Sequence, residues 1–162
     1  MTVLSKISPC IWFDGQAEAA AEHYTSIFGG SILRRLAYSE VGPGEPGTTM
    51  LVDFELEGIQ FTALNGGPIF TPDEAISFQV ICEDQAEVDR YWDALADGGE
   101  AQPCGWLKDR FGVSWQIVPR ALYDLLAEGD PGRVERANAA VLATFGKLDV
   151  AAILRAADGV DA

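Results

Sequence analysis

The side chains that could hold a metal ion are spread thinly along this sequence. Asp53, Glu55 and Glu57 alternate with apolar residues, so they share one face of a predicted strand and could together bind a cation. In a chain with 25 acidic and 11 basic residues, a solvated acidic face is the more ordinary interpretation. The single histidine, His23, falls within a predicted helix beside Tyr24, where we expect a helix-flank residue rather than a ligand.

The cysteines give no stronger indication of a metal or redox centre. Cys10, Cys82 and Cys104 are odd in number and show no C-x-x-C spacing. They therefore predict neither a zinc ribbon nor a disulfide framework. We expect reduced, half-buried side chains that behave as small apolar residues.

Composition limits the class of protein. The 162 residues suffice for one ordinary domain with its own core, and 48% hydrophobic with 22% charged residues is typical of a soluble globular protein. No apolar run approaches the roughly 18 residues that a membrane span needs. The first six residues lack the features of a secretory signal, so a cytoplasmic location is expected.

Net charge narrows the range of partners. A formal charge of −14 would repel a phosphate backbone or an anionic membrane surface. We therefore expect neither nucleic acid nor membrane as a partner. A small molecule or another protein surface fits this charge better.

An internal repeat determines the predicted organisation. Residues 7–30 align with residues 76–99 without a gap. Each block opens with an apolar strand-like stretch, passes through Gln-Ala-Glu and continues as a helix up to a Gly-Gly pair. Glycine is the expected residue after a last helical turn, because it adopts the left-handed conformation without a Cβ penalty.

Strand-like stretches follow each predicted helix. They cover residues 31–40, 48–57 and 59–64 in the first half, and residues 101–107 and 113–118 in the second. The predicted fold class is therefore α+β, with a strand, a helix and further strands formed twice. Each unit would leave one sheet face without a helix, so we expect a binding cavity between the two modules.

Two further segments complete the organisation. Residues 42–47 match a glycine-rich dinucleotide fingerprint, but two prolines and a position between strands predict a loop instead. The tail predicts short helices over residues 121–127, 132–145 and 150–157. Its apolar stripe, which includes Leu122, Leu125 and Val141, would pack on its own domain or, alternatively, build a dimer interface.

Three segments, residues 9–18, 61–68 and 105–116, together resemble PhnB-like proteins of the vicinal-oxygen-chelate (glyoxalase/bleomycin resistance/dioxygenase) superfamily. The resemblance implies two βαβββ modules within residues 1–119, module one over 7–68 and module two over 75–119. Residues 120–162 would be a helical extension of the same domain. That superfamily includes isomerases, dioxygenases, transferases and drug-binding proteins, so the resemblance is specific for fold rather than for activity.

The resemblance also locates the positions at which metalloenzymes of the superfamily place His and Glu. The pattern Asp-x-x-Gly-x-x-x-Glu maps onto residues 109–116, which puts Gln116 at the Glu position, and the repeat gives Thr62 as its counterpart. In the opening strands the corresponding positions are Ser77 or Gln79, and Ser8 or Cys10. These neutral groups would bind a divalent cation poorly.

Without a metal, the cavity should act by shape and hydrogen bonding. Aromatic walls beside neutral donors and acceptors would suit a flat or amphipathic ligand. The predicted ligand-binding residues are Cys10, Trp12, Thr62, Ser77, Gln79, Trp106 and Gln116, with no metal ligand and no cofactor.

Three hypotheses about function follow. The first is metal-independent binding of a small organic molecule, by a protein that the resemblance implies is a homodimer. The second is a divalent-metal-dependent isomerase, lyase, dioxygenase or transferase whose ligands are displaced, for example to the Asp53 face or Cys10. The third is an oligomerising protein that works through its helical tail. Relatives are also described as 3-demethylubiquinone 3-methyltransferases, which we disfavour because no strand–glycine-loop–helix stretch could hold a methyl donor.

Overall fold

A computed structural model of the chain describes residues 5–160, except for the side chain of Glu128. The chain divides into two compact units, one ending at Pro72 and the other beginning at Asp73. Each contains a four-stranded mixed sheet with a helix, which confirms the α+β class. No helix among residues 5–160 is long and apolar enough to cross a membrane.

The first unit has the order β1, α1, β2, β3, β4. Its elements are β1 (Cys10–Phe13), α1 (Ala17–Phe28), β2 (Ser31–Ala37), β3 (Thr49–Leu56) and β4 (Ile59–Asn65). The sheet order is β1-β4-β3-β2, with β1 parallel to β4 and the other pairs antiparallel. Residues 42–47 form part of the β2–β3 connection and open no helix, as predicted.

Period-two alternation along β3 explains how this unit buries its core. Val52, Phe54 and Leu56 are buried, as are Phe61 and Ala63 of β4. Successive side chains of a strand point to opposite faces, so these residues form one apolar face of the sheet. Helix α1 packs on this face and completes the core. Its fully buried residues are Ala17, Ala20, Ala21 and Tyr24.

The second unit repeats this order and adds three helices. Its elements are β5 (Ser77–Cys82), α2 (Gln85–Ala96), β6 (Glu100–Ala101), β7 (Trp106–Lys108), β8 (Ser114–Pro119), α3 (Arg120–Glu128), α4 (Pro131–Ala143) and α5 (Val150–Ala157). The sheet order is β5-β8-β7-β6, with β5 parallel to β8. The two sheets thus have equivalent strand orders, which supports the repeat seen in the sequence.

The predicted strand over residues 101–107 is wrong in one respect, because the chain turns in the middle of it. Cys104 and Gly105 both have left-handed backbones, with φ of 62° and 79°. The amide of Trp106 bonds to Pro103 O at 3.2 Å and closes the turn. Two short strands, β6 and β7, therefore stand where the sequence predicted one strand. The sequence pattern gave no sign of this turn, because cysteine rarely adopts a left-handed backbone.

The three C-terminal helices belong to the second unit and have a small core of their own. That core consists of Leu125, Ala137, Leu148, Ile153 and Ala157. Backbone bonds link the segment after α4 to the turn between β6 and β7: Cys104 N donates to Thr144 O at 2.9 Å, and Gly146 N to Gln102 O at 3.0 Å. These backbone bonds attach the tail to the second sheet. The three helices lie close to the ranges predicted from the sequence, which are residues 121–127, 132–145 and 150–157.

Candidate functional site

In the first unit, polar side chains form a row across the sheet on the face away from α1. Cys10 of β1 is paired with Thr62 of β4, Thr62 with Asp53 of β3, and Asp53 with Arg34 of β2. Thr62 Oγ1 donates to Asp53 Oδ1 at 2.6 Å, and Arg34 Nε donates to Asp53 Oδ2 at 2.7 Å. The two predicted site residues of this row, Cys10 and Thr62, are thus direct neighbours.

Asp53 is not part of a solvated acidic face, so that interpretation of the strand is wrong for this residue. It is only 4% exposed, and its carboxylate is held by Arg34 and Thr62. Glu57 lies outside β3, in the turn before β4, with φ of 47°. Because Asp53 already has these partners, and Glu57 does not lie on the strand, the three carboxylates do not form a cation site.

The environment of Cys10 keeps its sulfur protonated. Although the residue is exposed overall, desolvation raises the pKa of the Cys10 thiol, and the negative charge of Asp53 raises it further. A thiol binds metals and attacks electrophiles as the thiolate. The thiolate form of Cys10 is therefore disfavoured at neutral pH.

Trp12, also predicted to face a ligand, packs on the loop that follows β4. Its indole Nε1 donates to Gly67 O at 2.7 Å, and its ring meets the ring of Phe70 edge to face, with centroids 5.1 Å apart. A Cβ on Gly66 would lie 2.1 Å from Trp12 Cζ2, so only glycine fits against this ring. The N–H of the indole, which is its one polar group, thus already has a hydrogen-bond partner.

In the second unit, the equivalent row carries a chain of neutral hydrogen bonds. Gln79 of β5 is paired with Gln116 of β8, and Gln116 with Trp106 of β7. Gln79 Nε2 donates to Gln116 Oε1 at 3.2 Å, and Gln116 Nε2 donates to Ser77 Oγ at 2.8 Å. Tyr123 Oη of α3 donates to Gln79 Oε1 at 3.2 Å. The strand register expected for Ser77, Gln79 and Gln116 is therefore the observed one.

This row forms one wall of a cavity within the second unit. The cavity has a volume of about 290 Å³ and lies between the sheet and helices α3 and α4. Gln79, Trp106 and Gln116 line it on the sheet side. The remaining lining residues are Cys104, Val118, Leu122, Tyr123, Leu125, Leu126, Val134, Ala137, Asn138, Val141 and Leu148.

None of the described residues that line the cavity is charged. Its polar side chains are the carboxamides of Gln79 and Gln116, the Tyr123 hydroxyl, the Asn138 amide, the Trp106 indole and the Cys104 thiol. Such a set can both donate and accept hydrogen bonds but cannot neutralise a full charge. The lining of the cavity is therefore mostly apolar, with a few uncharged hydrogen-bonding groups.

The residues at the superfamily's ligand positions do not fit a divalent cation. They are a thiol with a raised pKa, the Thr62 hydroxyl and the two carboxamides of Gln79 and Gln116. None supplies negative charge or a basic nitrogen, which divalent ions need from a protein. Within residues 5–160, no group of three or more His, Cys, Asp and Glu side chains is placed to hold a metal ion. His23 lies half-buried in α1.

Asp109, the aspartate of the Asp-x-x-Gly pattern, is structural. Its Oδ1 accepts from Phe111 N at 2.8 Å and Val113 N at 3.0 Å, and its Oδ2 accepts from Trp115 Nε1 at 2.8 Å. The neighbouring Lys108 places its Nζ 2.7 Å from Glu74 Oε1. Asp109 is only 4% exposed and shapes the turn that leads into β8.

Sequence reasoning predicted neither this cavity nor its helical side, because it expected the binding cavity between the two modules. Tyr123 and Asn138 contribute polar groups there, and Cys104 lines its edge. The apolar stripe of the tail was visible as helical periodicity, but periodicity does not say which surface a helix covers.

The three cysteines are free, as predicted, although only Cys104 is half-buried: Cys10 is exposed and Cys82 fully buried. Burial raises the pKa of the Cys82 thiol to about 11.

Two βαβββ units with equivalent strand orders define the glyoxalase/bleomycin-resistance class of fold. A family model described as 3-demethylubiquinone-9 3-methyltransferase matches residues 5–118. The PhnB protein from Bacillus cereus is 35% identical, with a TM-score of 0.62 over 71% of this chain and 99% of that chain. The chain belongs to this PhnB-like family of the vicinal-oxygen-chelate superfamily.

More distant solved structures share the fold. Protein PA1353 from Pseudomonas aeruginosa is 23% identical, with a TM-score of 0.60 over 72% of this chain and 98% of that chain. The fosfomycin resistance protein FosX from Mesorhizobium loti is 14% identical, with a TM-score of 0.54 over 78% of this chain and 99% of that chain. The comparison with curated proteins found no match. These likenesses show the fold alone.

The residues described do not fit the methyl donor that the family description implies. The β1–α1 connection holds one glycine, and the first amide of α1, Ala17 N, already bonds to Asn65 Oδ1 at 2.9 Å. Helices α2, α4 and α5 begin at aspartates whose carboxylates accept from amides of their own first turns. A donor carboxylate would thus meet helix amides that are already bonded.

Proposed function

We propose that this protein binds a small organic molecule in the cavity of its second unit, without a metal ion. The observation that carries the proposal is the pair of carboxamides, Gln79 and Gln116, on the wall of an otherwise largely apolar cavity. Apolar pockets with a few convergent polar groups are the usual form of a small-molecule site. The polar groups would orient the ligand while the apolar walls supply most of the binding free energy.

The volume limits the size of the ligand. Protein pockets for drug-sized molecules span roughly 300–1,000 Å³. At about 290 Å³ this cavity lies just below that range. A dry apolar cavity of about 150 Å³ accommodates benzene, so roughly a dozen non-hydrogen atoms should fit here. A single ring with a short chain has the right size.

Two of the hydrogen bonds that line the cavity are long enough to be exchanged for bonds to a ligand. The Gln79–Gln116 and Tyr123–Gln79 contacts are both 3.2 Å, at the long end of the hydrogen-bond range. Ser77, by contrast, holds Gln116 at 2.8 Å and would fix that side chain during binding. We expect Gln79 to reorient toward a ligand while Gln116 stays in place.

Ligand-observed nuclear magnetic resonance of 4-phenylbutanol, with chelator present, tests the proposal. We expect saturable binding to the wild type and its loss in Val141→Trp, since the indole would fill the cavity that half-buried Val141 lines. Leu142→Trp is the matched control, because Leu142 is the next residue of α4 and is 74% exposed. Absence of binding to the wild type, or equal binding by Val141→Trp, would rule the proposal out.

The homodimer expected from the family resemblance is a separate proposal. Sedimentation equilibrium of the full chain would give its mass directly. A monomer at all concentrations would contradict the dimer and leave the cavity proposal unaffected.

A further inference from the structure

A second depression lies beside the cavity, and its chemistry differs. It is an open groove of about 540 Å³ that shares Cys104 and Trp106 with the cavity. Its other lining residues are Glu74, Glu100, Ala101, Gln102, Pro103 and Phe145. Because the two depressions have these residues in common, they are adjacent.

The groove is negatively charged, in contrast to the cavity. Glu74 Oε1 accepts from Lys108 Nζ at 2.7 Å and from Gln102 Nε2 at 2.9 Å. Lys108 also experiences the charges of Glu100 and Asp73, so one ammonium group faces three carboxylates. The hydrogen bond from Lys108 lowers the pKa of Glu74 to about 2, so this carboxylate is ionised throughout the physiological range.

Aromatic rings border the same groove. Phe145 is 71% exposed, and Trp106 is half-buried. The segment that carries Phe145 is fixed to the groove by the Pro103–Phe145 bridge and by the bond from Gly146 N to Gln102 O at 3.0 Å. Aromatic rings and carboxylates around one space favour organic cations, because the ring quadrupole and the carboxylates can both attract positive charge.

We propose that the ligand is a small organic amine, with its hydrocarbon part in the cavity and its ammonium group in the groove. This inference rests on the proposed function, since it assigns the chemical class of the ligand at that site. The neutral, mostly apolar cavity suits the hydrocarbon part, and Glu74 and Glu100 with the Trp106 and Phe145 rings suit the cation. Carboxylate ligands are disfavoured by the same charges.

Three probes with the same hydrocarbon part test the inference: 4-phenylbutylamine, 4-phenylbutanol and 4-phenylbutyrate. At neutral pH they are a cation, a neutral molecule and an anion. Isothermal titration calorimetry on the full chain at low salt should give the amine about tenfold tighter binding than the alcohol and leave the carboxylate weakest. The preference should shrink at high salt, because mobile ions screen exposed charges.

A variant that removes one negative charge from the groove tests whether this charge causes the preference for the amine. Glu100→Gln should reduce the preference for the amine over the alcohol severalfold and leave binding of the alcohol unchanged, since Glu100 lines the groove and not the cavity. Glu45→Gln makes the same charge change on an exposed loop of the first unit and should leave the preference as in the wild type.

The outcomes separate the two proposals. If none of the three probes binds, the cavity proposal fails. If amine and alcohol bind equally well, or if Glu100→Gln and Glu45→Gln behave alike, the cavity proposal stands and the inference about a cation is overturned. A preference for the amine that Glu100→Gln diminishes supports both.

Discussion

Substitution of Asp109 by asparagine should destabilise the second unit strongly. The carboxylate accepts two backbone amides at one oxygen and the Trp115 indole at the other. Asparagine keeps one acceptor oxygen, and in either orientation of its amide the new NH2 group faces an N–H donor. The variant therefore loses charge-assisted bonds that are each worth about 1.5–3 kcal/mol and leaves a buried donor unsatisfied.

Together these effects predict a loss of about 3 kcal/mol in the free energy of unfolding. A domain has only about 5–15 kcal/mol in total, so the loss should be plain in urea unfolding. Tryptophan fluorescence is a suitable probe, since three of the four tryptophans, Trp92, Trp106 and Trp115, lie in the second unit.

Asp97→Asn is the matched control for this measurement. Its side chain is 73% exposed and pairs with Arg110, an arrangement worth about 0–1 kcal/mol. If Asp109→Asn were no more destabilising than Asp97→Asn, Asp109 would not hold the turn before β8. A functional role for this carboxylate would then have to be considered instead.

Two further predictions concern the first row and the turn before β7. Asp53→Asn should lower the pKa of the Cys10 thiol, because a negative charge is removed, yet leave it above its ordinary value, since desolvation is the larger cause. Iodoacetamide alkylation of Cys10 against pH, followed by peptide mass spectrometry, would show the shift, and an unchanged profile would contradict it. Gly105→Ala should cost more stability than Gly112→Ala, although both glycines have positive φ. A Cβ at Gly105 meets Ile117 O at 2.9 Å, whereas a Cβ at Gly112 meets nothing within 4 Å. Urea unfolding of the two variants measures the difference, and equal losses would refute the steric argument.

The repeated fold was predictable because its signals are local. The alternation along β3 and the matching Gln-Ala-Glu helix starts each follow from short-range geometry. Strand parity then placed Ser77, Gln79 and Gln116 on one face, and the register of β5 with β8 agrees. These features need no knowledge of distant contacts.

The parts that sequence reasoning missed depend on contacts between distant segments. Asp53 looked like a surface residue because its partner Arg34 is 19 positions away and pairs only through the β2–β3 register. Tyr123 reaches Gln79 across 44 positions. A helical stripe shows that a helix packs somewhere, but the surface it covers is fixed by the whole fold.

The central claim is that the second unit binds its ligand without a metal. The most direct measurement is the dissociation constant of 4-phenylbutanol for chelator-treated protein, compared with protein supplied with Mn²⁺, Zn²⁺ or Fe²⁺. Since the Gln79 and Gln116 carboxamides of the cavity do not suit a divalent cation, we predict the same constant in all four samples. Binding that appears only when one of these metals is added would contradict the claim.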